Sequence, residues 1–352
     1  PALQALARCE QIAQNLGSDE KLAKVFSQRG SVLLPMDEPR KALIEHERAL
    51  EFVRMDASGA TQIRVLRGAG LGHYHVGRMQ TAHECFDKVV RAADQVEDLW
   101  AAANTLNFRG HTKYWLGDLP GAASDAERAI ADAERLGEVR AQMNAHRLAA
   151  LVELELQNPA TARKHAEMSL QLTDRLDAWR YRTLVLGLIC KSAILENDKA
   201  TATTFAEQAL AEIDEADNRY NGPITLGLVA RAFEDPAKRR SVLEDSSRRL
   251  RDNTIAHNHL WFYTDAIEIS LESGELKDAL RYAEKLGAVT QSSPVPLADL
   301  YIHSVDLVSK SVGSASSADD KKQLREHLQS LSTQKILSLK HALESFLCIN
   351  SL

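Results

Sequence analysis

The chain is poor in the residues that announce a cross-linked, metal-bound or membrane protein. Its four cysteines, Cys9, Cys85, Cys190 and Cys348, fall in no CxxC or zinc-ligand spacing. That excludes a disulfide framework and fits reduced thiols in the cytoplasm. Aromatic residues are only 5% of the sequence, and 17 glycines and 9 prolines in 352 residues are few for a turn-rich β fold. No stretch reaches 18 consecutive apolar residues, so no membrane span is expected. A basic surplus is missing too: 43 Lys and Arg against 49 Asp and Glu give a net charge of -6, which argues against a general nucleic-acid binder.

What is present is alanine and leucine in helical spacing, with 44% hydrophobic and 26% charged residues. The spacing repeats. Gly77, Ala82, Phe86 and Val89 stand 40 residues before Gly117, Ala122, Ala126 and Ala129, and Gly70 stands 40 before Gly110. The same shift reaches back to Gly30, Ala42 and Ala49, with Pro35 and Pro39 around the turn. It reaches forward to Ala150, Ala162 and Ala166, then to Cys190, Ala202, Ala206 and Ala209. Each unit reads as two helices joined by a turn: glycine allows the left-handed turn residue, and alanine on the second helix allows close approach. One such hairpin cannot bury its apolar face, so stacking must complete the core. The pattern places Cys9 and Cys190 at small, buried positions.

The reading is an all-α, right-handed superhelical solenoid of antiparallel helix pairs, one domain over 1–352. Residues 1–17 would be the second helix of a truncated repeat, 18–210 regular repeats, 211–292 divergent repeats, and 293–352 a terminal repeat with a capping helix. The opening PALQALARCEQ has no methionine and no signal-peptide pattern, so the expectation is a piece of a longer protein. Within 211–292 a short first helix, an Asp235-Pro236 turn and a second helix are expected. Over 312–320 the pattern reads as a loop that starts a helix.

GLGHYHVGRMQTAHECFDKVV and FRGHTKYWLGDLPGAASDAERAI resemble the tetratricopeptide repeat, with Gly-x-x-x-x-Ala followed by an aromatic or Ala, then Ala. The period of 40 exceeds the family's usual 34, which implies longer helices or longer links. The tryptophan usual near the repeat's start is absent from most units. AHNHLWFYTDAIEISLESGELKDALRYAEKLGAVTQSSPVPLADLYI resembles the carboxy-terminal repeat region of bacterial multidomain nucleotide cyclases that carry an ATPase module. That resemblance implies a regulatory role and lends no catalytic residue.

In such arrays the first helix of each hairpin supplies groove contacts. The register then points inward Arg64, Arg67, Leu71 and Tyr74, then Asn104, Asn107, His111 and Tyr114, then Asn144, Arg147 and Leu151. An asparagine amide can clamp a peptide unit, and arginine forks onto carboxylates. The expected partner is a protein or peptide of acidic character, bound by a non-enzymatic scaffold in a larger signalling protein. A structural or oligomerising module that positions upstream catalytic domains, with a homo-oligomer as its assembly, is the alternative. Any single arginine has a plainer reading as a solvated side chain. Trp115 is expected in the core, with Tyr114 open, and at least one of Trp261, Phe262 and Tyr263 should be buried.

Catalytic and cofactor signatures are not found. RGAGLGHYHVG lacks GxxxxGK and a preceding strand, so its glycines read as helix packing. His73/His75 and His257/His259 are i,i+2 pairs on different helix faces, read as ordinary polar histidines rather than metal ligands. Acidic pairs such as Glu153/Glu155 and Asp214/Glu215 read as solvated, with none marked as a raised-pKa acid. The basic run Lys238, Arg239, Arg240, Arg248, Arg249 and Arg251 reads as a partner contact or a solubilising face. Neither cofactor, metal nor membrane is expected.

Overall fold

The computed structural model describes residues 1–36, 38–53, 59–216, 218, 220–250, 255–312 and 316–350. Arg251 and residues 313–315 of the expected loop lie outside them. The described residues form α-helices and one 3₁₀ turn (Leu34–Met36), with no strand among them. Helix α1 (Ala2–Asn15) precedes the hairpins. These are α2 (Asp19–Leu33) with α3 (Pro39–Glu51), α4 (Gly59–His75) with α5 (Met79–Gln95), and α6 (Leu99–Trp115) with α7 (Leu119–Leu136). Next come α8 (Val139–Glu155) with α9 (Pro159–Arg175), α10 (Trp179–Leu195) with α11 (Lys199–Ala216), and α12 (Gly222–Ala230) with α13 (Pro236–Arg249). The last elements are α14 (Ala256–Glu272) with α15 (Leu276–Thr290), α16 (Pro296–Val312) with α17 (Ala318–Thr333), and α18 (Leu337–Ile349). The protein is an all-α, tetratricopeptide-like solenoid.

The long period comes from the helices. From α5 to α10 each helix has 17 or 18 residues, and the links between them are two or three residues long. A residue with left-handed backbone closes each helix at intervals of twenty: Gly77, Glu97, Gly117, Gly137, Gln157, Asp177 and Asn197. At Gly117 the closure is explicit: its N–H donates to the Tyr114 carbonyl at 3.0 Å, and the Asp118 N–H reaches back to the Lys113 carbonyl at 2.8 Å. Asp118 then caps the next helix by accepting from the Gly121 N–H at 2.9 Å.

The repeated alanines occupy the tightest places. Ala42, Ala82, Ala122, Ala162 and Ala202 are all buried. Close approach also needs glycine opposite a ring. A Cβ on Gly70 would stand 2.6 Å from the buried Phe86 ring, and Gly30 and Gly68 hold the His46 imidazole between them. Cys190 is buried as expected, but Cys9 is exposed, because α1 packs principally on α2 and leaves its other side uncovered. Trp115, Trp261, Phe262 and Tyr263 are all buried.

The stack does not stay open. Helix α14 packs on α12, α15, α16 and α18 and also meets α4, while α16 meets α6 and α18 meets α8. The late repeats thus fold across the first helices of the early ones. Every residue of α14 from 260 to 271 is buried, polar ones included, as suits a helix covered on all sides. The short α12, nine residues long, lies between α10 and α14.

Candidate functional site

Closure converts the groove into a cavity of about 310 Å³. Its walls come from α4, α6, α8, α10, the turn into α12, and α14. Leu71, Phe108, Leu151, Leu184, Ile224 and Trp261 supply apolar surface. Among the described residues the lining contains no Asp or Glu, although the chain as a whole is acidic.

Among the described residues Arg147 is the one buried cation in this lining, 8% exposed. Its guanidinium lies 4.9 Å from the Tyr181 ring centre, a cation–π contact. No carboxylate pairs with it among the described residues, and its Nε has no hydrogen-bond partner. One turn earlier on α8, the Asn144 Oδ1 is also without a partner. Arg180 joins the lining from an exposed position, stacked over Trp179 at 5.3 Å.

Three imidazoles complete the polar surface. Burial, reinforced by the Arg147 charge, pushes His111 down to about 3. Burial holds His75 near about 4, while its hydrogen bond to the Leu71 carbonyl opposes the shift. His257 falls well below the ordinary histidine range, first through burial and then through repulsion by His75 and His111. All three are neutral at pH 7; His111 and His257 each carry one donor and one acceptor, while His75 spends its N–H on Leu71 and keeps only an acceptor. The His257 ring stacks on Tyr74 at 5.1 Å, which ties α14 to α4. Further along, Trp261 lies 4.6 Å from Tyr114 and 4.7 Å from Trp115, which ties α14 to α6.

Beneath Trp261 sits a buried ionic cluster. Lys191 donates to Asp265 at 2.9 Å. Arg231 reaches Asp265 at 3.1 Å, Glu272 at 2.9 Å and also Glu268. The Tyr301 hydroxyl donates to the other oxygen of Glu268. Beside it Glu155 accepts from the Tyr114 hydroxyl at 3.0 Å and from the Ser338 N–H at 3.2 Å. Burial and then the Glu268 charge raise Glu155 to about 7. The expectation that Glu155 is a solvated acid is therefore corrected: α14, α16 and α18 close over it. His257 is likewise no ordinary surface histidine, since closure buries it in the cavity.

The residues singled out by the register do not all meet. Tyr74, His111, Asn144 and Arg147 line the cavity together with Leu71 and Leu151. Arg64 and Arg67 line a separate recess of about 270 Å³ between α2, α4 and α6, where the Arg67 guanidinium lies 5.1 Å over the Trp100 ring. Asn104 is half-buried and donates to the Trp100 carbonyl at 3.0 Å on its own helix. Asn107 is buried with both polar side-chain atoms unpartnered, outside the cavity lining. Tyr114 is buried and held by Glu155. The register gave no sign of Tyr181, Tyr220, Asn221, His257 or Trp261. The first three lie at or before the start of their helices, and the last two arrive with α14.

The basic run on α13 is held in part by the protein's own acceptors. Arg239 donates to the Phe233 carbonyl at 3.1 and 2.9 Å, and Arg249 donates to Asp245 at 2.7 Å and Asp214 at 2.8 Å. Among the described residues no group of three or more His, Cys, Asp and Glu is arranged to hold a metal. No described helix is long and apolar enough to cross a membrane.

No protein-family model matches the chain, and no curated protein matches it. Solved structures do. A Rap protein complexed with competence and sporulation factor aligns with a TM-score of 0.66 at 12% identity, over 94% of this chain and 94% of that one. NprR in complex with its cognate peptide NprX aligns at 0.63 and 14% identity, over 94% of this chain and 97% of its own. The Rap conjugation gene regulator of plasmid pLS20, in complex with the Phr* peptide, aligns at 0.58 and 12%, over 81% and 74%. At such identities the likeness is one of fold: a helical repeat array of the same general build.

Proposed function

We propose that this chain is a non-enzymatic binding domain whose interior receives a peptide or a segment of a partner protein carrying an acidic group. The observation that carries the reading is Arg147: among the described residues, a buried guanidinium with no carboxylate of its own, in a cavity whose lining has none. Burying an unpaired charge is costly, so such an arrangement is understandable where a ligand supplies the counter-charge. The three similar structures named above are complexes with a signalling factor or a peptide, which supports the reading by analogy of fold. We further read residues 1–352 as one domain serving as the regulatory region of a larger cytoplasmic signalling protein, of the kind that the cyclase-like segment implies.

The test is selection of peptides from a random display library on the wild-type chain, followed by rebinding to Asn144→Ala, Arg147→Ala and Leu151→Trp. Selected peptides should bind wild type and lose at least tenfold in affinity on Arg147→Ala and Leu151→Trp, with a smaller loss on Asn144→Ala. Equal binding to all four proteins would move the site elsewhere.

A further inference from the structure

Resting on that reading, we propose that the cavity recognises one carboxylate on an apolar body, held by the edge of the Arg147 guanidinium, with the apolar part against Leu71, Phe108, Leu151 and Trp261. The number of charges sets the anion. Among the described residues Arg147 is the single buried cation of the lining, no lysine is present, and Arg180 is exposed at its margin. One guanidinium balances one carboxylate, and its forked N–H groups match the two oxygens. A phosphate dianion would remain about half uncompensated in a lining whose imidazoles are neutral.

The cation–π contact with Tyr181 uses the ring and takes no N–H of the guanidinium as a hydrogen-bond donor, and the Nε stays unpartnered. The unpartnered Asn144 oxygen, one turn away, is placed to accept an N–H or O–H next to that carboxylate. The volume, about 310 Å³, lies at the small end of the range of roughly 300–1,000 Å³ for small-molecule sites. It therefore suits a small organic acid, or the final residue of a peptide entering by its carboxyl end, better than the middle of an extended chain.

The experiment uses four probes on the full chain: 3-phenylpropanoate, 3-phenylpropanamide, and one hexapeptide ending in phenylalanine with a free or an amidated carboxyl terminus. Ligand-observed NMR and tryptophan fluorescence, which Trp261 reports, give the affinities. Each acid should bind at least tenfold tighter than its amide, and Arg147→Met should abolish that preference. Its melting temperature should equal or exceed the wild type's, because a desolvated charge without a partner has been removed. A hexapeptide acid tenfold tighter than 3-phenylpropanoate identifies a peptide end as the ligand, and equal affinities identify a small acid. The proposal is overturned if acid and amide bind wild type alike, if the preference survives in Arg147→Met, or if that variant melts lower. Library peptides that bind Arg147→Met as well as wild type would leave the peptide-binding reading standing and remove only the carboxylate anchor.

Discussion

Glu155 shows how much one residue's chemistry depends on its surroundings. In sequence it is half of an acidic pair; in the fold it is buried opposite Glu268 and holds Tyr114 and the Ser338 amide. Its pKa of about 7 lies above the unfolded carboxyl's, so the native state holds the proton longer. Stability from this group is present at low pH, declines as pH rises through the unfolded value, and is fully lost above about 7. Glu155→Gln keeps one acceptor for Ser338 and gives an N–H to the Tyr114 oxygen without ionising. Urea unfolding should show the variant gaining on wild type from pH 5 to pH 8, by up to about 3 kcal/mol. A pH-independent difference would mean that Glu155 does not titrate in this range. Residue-scale legibility was uneven for the same reason: Ala122 declared its burial through spacing, whereas nothing near Glu155 in sequence announces α18.

At the scale of elements, α14 is the piece that turns a stack into a closed body. Its inward stripe has two halves: His257 and Trp261 wall the cavity, and Asp265, Glu268 and Glu272 take Lys191 of α10 and Arg231 at the end of α12. Burying so many charges is tolerable only while they are paired. Arg231→Met should therefore leave excess carboxylates in the interior and lower stability by about 3–5 kcal/mol in urea unfolding. It should also speed hydrogen exchange in α14 more than in α6. A loss below about 1 kcal/mol would show that water already solvates the cluster. The hairpins themselves were readable from sequence, down to the short α12 and the Asp235-Pro236 start of α13. The docking of α14 on α4 was not, since it joins segments some 180 residues apart that share no pattern.

For the whole molecule, burial keeps several histidines neutral, His46 between neighbouring hairpins and His75 and His111 in the closed cavity. His46 and His75 are held near about 4 and His111 near about 3, chiefly by burial. A folded pKa below the unfolded 6.5 means that the unfolded chain takes up protons first, so stability falls as pH drops below about 6.5. Measured in Glu155→Gln, which removes the opposing trend of that carboxyl, the unfolding free energy should drop between pH 6.5 and pH 4.5. Each imidazole should account for on the order of 1–2 kcal/mol of that drop. A flat profile would place these rings in contact with solvent.

The cavity's path through the repeats explains why the inward residues were only partly legible. Against the forty-residue register its lining retreats by about one helical turn per repeat: 71–75 in α4, 108 and 111 in α6, 144–151 in α8, and 180–184 in α10. A fixed register catches Tyr74, His111, Asn144 and Arg147, sends Arg64 and Arg67 to a neighbouring recess, and passes over Tyr181. Sequence by itself determined the hairpins, their period and the small residues at their contacts, because these depend on neighbours one or two helices away and each repeat restates them. Tertiary structure alone decided the drift of the lining, the closure by α14 and the isolation of Arg147. Those depend on small rotations summed over many repeats, and on which distant helix finally arrives to exclude water.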